Sequence, residues 1–192
     1  MKTSLFMREV LPFYTSLAAL VLAALVADAG LHLAGIVWIG RYLGIPGILL
    51  IIGSFGHSLR KRKVIDGGNP VFWLRLHERM AWAGSLLVLV HAGVHFNAVL
   101  AWLALLAMMI NVCSGLTGKY LLQRAQRWMM QARTDLQGQG LPPEDISQRL
   151  YWDSLTFDLV KQWRKVHLPI SLAFAVLATA HVISTFIFWG WK

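Results

Sequence analysis

The chain has 192 residues, 57% of them hydrophobic and only 14% charged, where an ordinary soluble domain carries about 25% charged residues. Long uncharged runs exclude a soluble globule and point to an all-α, polytopic membrane protein. A formal net charge of +9 raises the question of nucleic acid, but the placement of the charges answers it in favour of membrane topology, as shown below. The single cysteine, Cys113, rules out an internal disulfide, an Fe–S cluster held by this chain alone and a C-x-x-C-H attachment site.

In chain order, the basic start M-K-T-S-L-F-M-R-E-V leads into a first apolar helix expected over about 11–29. Small residues in A-L-V-A-D-A allow a cleavage site, but hydrophobicity continues past it, which favours an uncleaved helix. The stretch 31–42 is apolar yet interrupted by Gly35, Gly40 and Arg41, and is expected to lie in the membrane interface. A second helix is expected over 43–59, ending in the basic run Arg60 to Lys63. D-G-G-N-P at Asp66 to Pro70 is a stop-and-restart signal. A third helix follows over 71–96 and a fourth over 98–116, running on into a basic stretch from Lys119 to Arg133. Residues 133–150 are polar and expected as a soluble loop. Tyr151 to Trp163 has the mixed aromatic and acidic character of an amphipathic lead-in to a fifth helix over 164–189.

Orientation follows from the basic residues, which concentrate on the cytoplasmic side. With the N-terminus in the cytoplasm and five alternating spans, 16 of the 18 Lys and Arg fall inside, and only Arg41 and Lys192 fall outside. The positive charge is thus read as topology, with membrane lipids and not nucleic acid as its partner. Trp152, Trp163, Trp189 and Trp191 stand near helix ends, as interfacial anchors do.

The chemistry-bearing feature is a spacing that occurs twice. His77 and His91 are 14 residues apart on the third helix, and His167 and His181 are 14 apart on the fifth. Fourteen residues are nearly four turns, so each pair lies within about 40° of one face and about 21 Å apart along the axis. The two helices run in the same direction, because the fourth returns between them. Each therefore sets one imidazole at the cytoplasmic level (His77, His167) and one at the outer level (His91, His181). Ionisable groups inside a bilayer are costly and point to function. Two imidazoles facing each other at one depth are what a b-type haem requires, so the pattern predicts two stacked haems b within a four-helix bundle. Gly84, midway between His77 and His91, is expected to let a porphyrin edge approach the backbone. Ala173, Ala175 and Ala178 are small residues in the matching part of the fifth helix.

The remaining polar groups leave alternatives. His95 is four residues beyond His91 and 18 beyond His77. It is a substitute outer ligand, a propionate or quinone partner, or, with His91, half of a metal-ion site. His57 could ligate an extra haem, meet a quinone carbonyl or simply face the interface. Arg75, Arg79, Arg164 and Lys165 flank the cytoplasmic histidines and suit anionic propionates, although the inside-positive bias alone also places them there. Asp28 and His32, near the outer end of the first helix, read as solvated residues or as a proton relay. H-E-R-M-A is not a zinc-protease motif, since Ala81 stands where the second histidine belongs.

H-E-R-M-A-W-A-G with V-H-A-G-V-H, S-G-L-T-G-K-Y-L-L, and W-R-K-V-H-L-P with A-H-V-I-S together resemble the membrane cytochrome b subunits of respiratory oxidoreductases. These are the b-type subunits of formate dehydrogenase and nickel-iron hydrogenase and the wider ferric-reductase-like group. The resemblance covers roughly the last three-fifths of the chain, from His77 to Lys192. It implies that His77, His91, His167 and His181 are axial ligands and that a quinone or quinol binds near one haem. It also implies partner subunits carrying Fe–S clusters or c-type haems, and residence in a bacterial inner membrane. The extra first-helix ligand of some of these subunits has no counterpart, leaving His57 and His95 as candidates for a changed pairing. The reading is a di-haem electron carrier between a quinone pool and a partner subunit. Two other classes stand beside it: a stand-alone quinol or metal reductase, and a haem-free anchor or metal-ion transporter using His91 and His95.

Overall fold

The computed structural model describes residues 11–65, 67–94 and 98–188, and every regular element among them is helical. The elements are α1 (Leu11–Leu33), α2 (Val37–Tyr42), α3 (Gly44–Ser54), α4 (Gly56–Lys61), α5 (Pro70–Val94) and α6 (Val99–Thr117). A π-helical turn (Gly118–Leu122), α7 (Gln123–Gly138), α8 (Pro143–Arg149) and α9 (Tyr151–Phe188) complete them. The protein is an all-α membrane protein. Four stretches are long and apolar enough to cross a bilayer: Leu11–Leu33, Val37–Arg60, Val99–Tyr120 and Lys165–Phe188. The 25-residue α5 is long enough too, but Arg75, His77, Glu78 and Arg79 in its first three turns lower its hydropathy.

Local chemistry sets the helix ends. α1 runs to Leu33 and closes in a Schellman motif. There the Gly35 N–H donates to His32 O (3.1 Å) and the Ile36 N–H to Leu31 O (3.0 Å), with Gly35 at φ +69°. The segment expected in the interface is therefore the end of one membrane helix, a tight turn and the start of the next. The same pair of bonds recurs around Lys63 (φ +58°) after α4 and Gly140 (φ +74°) after α7. α5 starts where Asn69 Oδ1 accepts the Val71 N–H (2.8 Å) and Pro70 takes the first helical position, where no N–H is needed.

The region expected as a loop at 133–150 is helical over most of its length. α7 continues α6 through the π turn to Gly138, and α8 begins at Pro143 behind an extended Pro142. The lead-in segment and the fifth helix are one 38-residue helix, α9. At 1.5 Å per residue it is about 57 Å long, nearly twice the roughly 30 Å of a hydrocarbon core. Its first part therefore projects beyond the membrane, where α7 and α8 pack on it and Ile146 and Leu150 are buried. Trp189 and Trp191, Asp66, and the side chains of Trp152 and Trp163 lie outside the described residues.

The bundle is apolar outside as well as inside. Leu22, Leu25, Val26, Leu49, Leu106 and Leu172 are all more than half exposed, which suits contact with lipid. Among the described residues the buried polar ones are Ser54, Ser85, Ser114 and Ser171, the small polar type found between membrane helices. α5 packs on α3 and α1, and α6 packs on α9. α3 and α5 approach each other closely at two glycines. A Cβ on Gly84 would lie 2.7 Å from Ile51 Cγ1 and 2.8 Å from Gly47 O, and one on Gly47 would lie 2.9 Å from Val88 Cγ2. The space beside Gly84 is thus filled by α3 and is not open to a porphyrin edge, contrary to the sequence expectation. Gly84→Ala should destabilise the detergent-solubilised protein by about 1–3 kcal/mol through overpacking against backbone. Gly67→Ala, whose Cβ meets nothing within 4 Å, should leave the thermal midpoint unchanged, and equal midpoints for the two variants would refute this packing.

Candidate functional site

The two parallel helices α5 and α9 carry their histidines to two levels. At the basic end of the bundle, His77 and His167 line one cavity of about 1310 Å³, together with His57. At the opposite end, the rings of His91 and His181 stand 6.5 Å apart between centroids, with their planes at 59°. Two imidazoles bound through Nε2 to opposite sides of one metal, at about 2 Å each, have centroids roughly 6 Å apart. The outer couple has this spacing.

The orientation of each ring follows from where its other nitrogen goes. His77 Nδ1 lies 3.0 Å from Ser54 O, and His91 Nδ1 lies 3.3 Å from Gly40 O. A main-chain carbonyl can only accept, so this contact puts a proton on Nδ1 of each ring, and in the neutral imidazole it leaves the lone pair on Nε2. That is the tautomer required of a metal-binding imidazole whose second nitrogen is held by an outer-shell acceptor. His167 Nδ1 lies 2.9 Å from the hydroxyl of Ser114, which is itself buried. The main-chain oxygen of His181 accepts from Ser184 Oγ (2.8 Å) and Thr185 Oγ1 (2.9 Å).

The acceptors for α5 come from a helix that the histidine pattern does not mark. Gly40 and Ser54 are 14 residues apart, as are His91 and His77, and they meet in antiparallel register. Both acceptors sit where this helical stretch is broken. The Ser58 N–H, which an uninterrupted helix would give to Ser54 O, goes to Phe55 O instead (2.8 Å). The Leu43 N–H closes on Gly40 O (3.2 Å) in a turn of three residues. The tightening at Ser54 leaves its carbonyl without the Ser58 N–H, and in a bilayer such a group must find an internal donor. Gly44, one turn from Gly40, has no side chain where His91 lies: a Cβ there would stand 3.0 Å from the ring's Cγ and Cδ2 and 3.1 Å from Nε2.

Around the inner couple the charges are basic. Arg75 and Arg79 line the cavity, as the sequence anticipates, and are joined by Arg62 and Lys119. Lys119, in the π turn, is ion-paired with Glu78 at 2.9 Å. Lys165 is exposed and not among the lining residues, because its position on α9 turns it from the cavity that His167 faces; the Arg164 side chain lies outside the described residues. His57 stacks on His77, with centroids 5.6 Å apart and planes at 30°. The cavity ends on Ile51, Met108 and Phe174, which belong to the buried apolar cluster of the bundle.

Other candidates fall elsewhere. His95 lies outside the described residues. Asp28 and His32 are on α1, with His32 Nδ1 2.9 Å from Asp28 O, and neither lines the cavity. Asp28 Oδ1 is buried without a hydrogen bond, against the backbone at Gly93. Among the described residues no group of three or more His, Cys, Asp or Glu could hold a metal ion. The sequence reading missed Ser114, Gly40, Gly44, Ser54, Arg62 and Lys119. The glycine run at Gly40, Gly44 and Gly47 is the signal that points to close approach on the second membrane stretch. Comparison with family models, with curated proteins and with solved structures found no match.

Proposed function

We propose that the chain is a di-haem b-type cytochrome that carries electrons across a membrane between a quinone pool and a partner redox subunit. The observation that carries this reading is the pair of main-chain anchors, Ser54 O on His77 and Gly40 O on His91. They hold two imidazoles of one helix in the metal-binding tautomer, each at the level of a histidine on α9. His77 and His167 hold one haem b, and His91 and His181 hold the other. The bound haems supply the one-electron chemistry. The protein sets ring orientation, depth, dielectric and charge. Arg62, Arg75, Arg79 and Lys119 line the cavity and offer charge-assisted hydrogen bonds to propionates. Positive charge there also favours the reduced state of the nearer haem.

The basic end, with Arg60 to Lys63, Arg75, Arg79 and Lys119, is assigned to the cytoplasmic face of a bacterial inner membrane. The part of α9 beyond the membrane, with α7 and α8, then stands in the cytoplasm. An Fe–S or multihaem c subunit and a membrane quinone are the partners this reading requires.

The decisive experiment is a pyridine haemochrome count and a reduced-minus-oxidised spectrum of the purified protein. Two b haems per chain are expected. A colourless protein, made with haem available, would sink the proposal and leave a membrane anchor or metal-ion transporter. His167→Ala should leave one haem per chain, and an unchanged count in that variant would reject His167 as a ligand.

Ser114 gives a finer test. Ser114→Ala leaves His167 Nδ1 without the hydroxyl while keeping the iron ligand. Loss of an outer-shell partner typically weakens metal binding about 10- to 100-fold. Haem at this level should therefore be lost to a competing apo-haem protein that much more readily, with the His91–His181 haem retained. Equal retention of both haems would show that the hydroxyl does not orient the ring.

A further inference from the structure

We infer that Gly44 is a positioning residue for the outer couple: it sets the plane of the His91 ring and, through it, the electronic character of one haem alone. The inference rests on the di-haem reading above and adds a residue from outside the two histidine helices. Three observations bear on it. The missing Gly44 side chain is the clearance for the His91 ring, since a Cβ would stand 3.0 Å from two ring carbons. The ring is tethered to the same helical stretch, one turn away, by its Nδ1 contact to Gly40 O at 3.3 Å. On its far side stands His181, with centroids 6.5 Å apart.

These contacts oppose two of the ways in which the ring could yield. A methyl group at Gly44 requires His91 to give by a few tenths of an ångström. Withdrawal along the iron–nitrogen axis is resisted by the bond, whose length is fixed to about 0.2 Å. Sliding along the helix breaks the Gly40 contact. Rotation about that axis remains, and it changes the angle between the ligand planes, which is 59° in the structure. In a low-spin ferric haem with two imidazole ligands, the anisotropy of the paramagnetic signal depends on this angle. A purely structural role in helix packing would not move that signal.

The inner couple is insulated from the change. His77 is anchored on Ser54 O and His167 on Ser114, both far along the bundle from Gly44. A control on the same stretch is available. A Cβ at Gly53 would meet only the end of the Met80 side chain, with Cε at 2.5 Å, and that flexible group can swing aside.

The test is electron paramagnetic resonance and redox titration of the purified holoprotein for wild type, Gly44→Ala and Gly53→Ala. His181→Ala identifies the outer signal by its loss. In Gly44→Ala the outer signal should shift its largest g-value, together with the midpoint potential of the same haem, while the inner signal stays in place. Selective loss of the outer haem, with the inner signal intact, supports the assignment equally. Gly53→Ala should leave both signals as in wild type. Unmoved signals in Gly44→Ala, a joint shift or loss of both haems, or the same outer shift in Gly53→Ala each overturn the inference while the di-haem reading stands. A wild type without haem overturns that reading and this inference with it.

Discussion

The bundle depends on a rule of the lipid environment: a backbone carbonyl released from its helix must find a donor within the protein. The second membrane stretch releases one at Ser54, where the Ser58 N–H turns to Phe55 O, and at Gly40 it presents to α5 a carbonyl that also holds the Leu43 N–H. α5 supplies the donors, His91 and His77, with the same 14-residue interval. Each side solves a problem for the other. The carbonyl gains a partner, and the imidazole is fixed in one tautomer and one orientation. An unanchored imidazole in the same place would be free to flip and to present either nitrogen. The breaks in the second stretch therefore border the candidate site.

Close approach makes this pairing possible. Gly47 and Gly84 bring α3 and α5 together until the missing Cβ of each is replaced by atoms of the other helix. Small residues at such crossings are the usual means of packing helices where lipid provides no hydrophobic drive between them. The register is then determined at three levels, by Ser54 with His77, Gly47 with Gly84, and Gly40 with His91. A slip of one residue would rotate the histidines by about 100° and separate all three contacts together.

The membrane character, the helical class and the equal spacing of two histidine pairs were legible in the sequence, because each rests on a periodicity or a composition that needs no partner. That His77 shares a cavity with His167, and that His91 faces His181, follows from the same arithmetic. What was illegible depends on pairing between helices. Gly84 has the right register for porphyrin clearance on α5, but whether the space beside it is open depends on what the second stretch presents there. Gly44 and Ser114 bear on His91 and His167 from helices that carry no histidine in the motif. The lead-in segment and the polar region before it gave weak signals for a different reason. Schellman turns at Gly140 and the proline start of α8 make short helices in a region whose composition reads as loop.

The same packing bears on how such a protein would pass charge. A membrane electron carrier must conduct electrons between its two levels without opening a path for protons. Between the levels, Ile51, Met108, Phe174 and Ala178 form a buried apolar cluster, and the first three line the cavity. The hydroxyl and amide groups of Ser114, Ser171 and Asn111 lie on the cavity side, where Ser171 donates to Asn111 Oδ1 (2.9 Å) and to His167 O (2.8 Å). These contacts tie the polar groups to one another and to His167 on the cavity side of the cluster. Water is excluded from such a dry plug, since a buried water needs two to four polar partners. In the proposed reading, Phe174, seven residues from each of His167 and His181, stands at the midpoint of the electron path. The same side chain belongs to the buried apolar cluster between the two histidine levels.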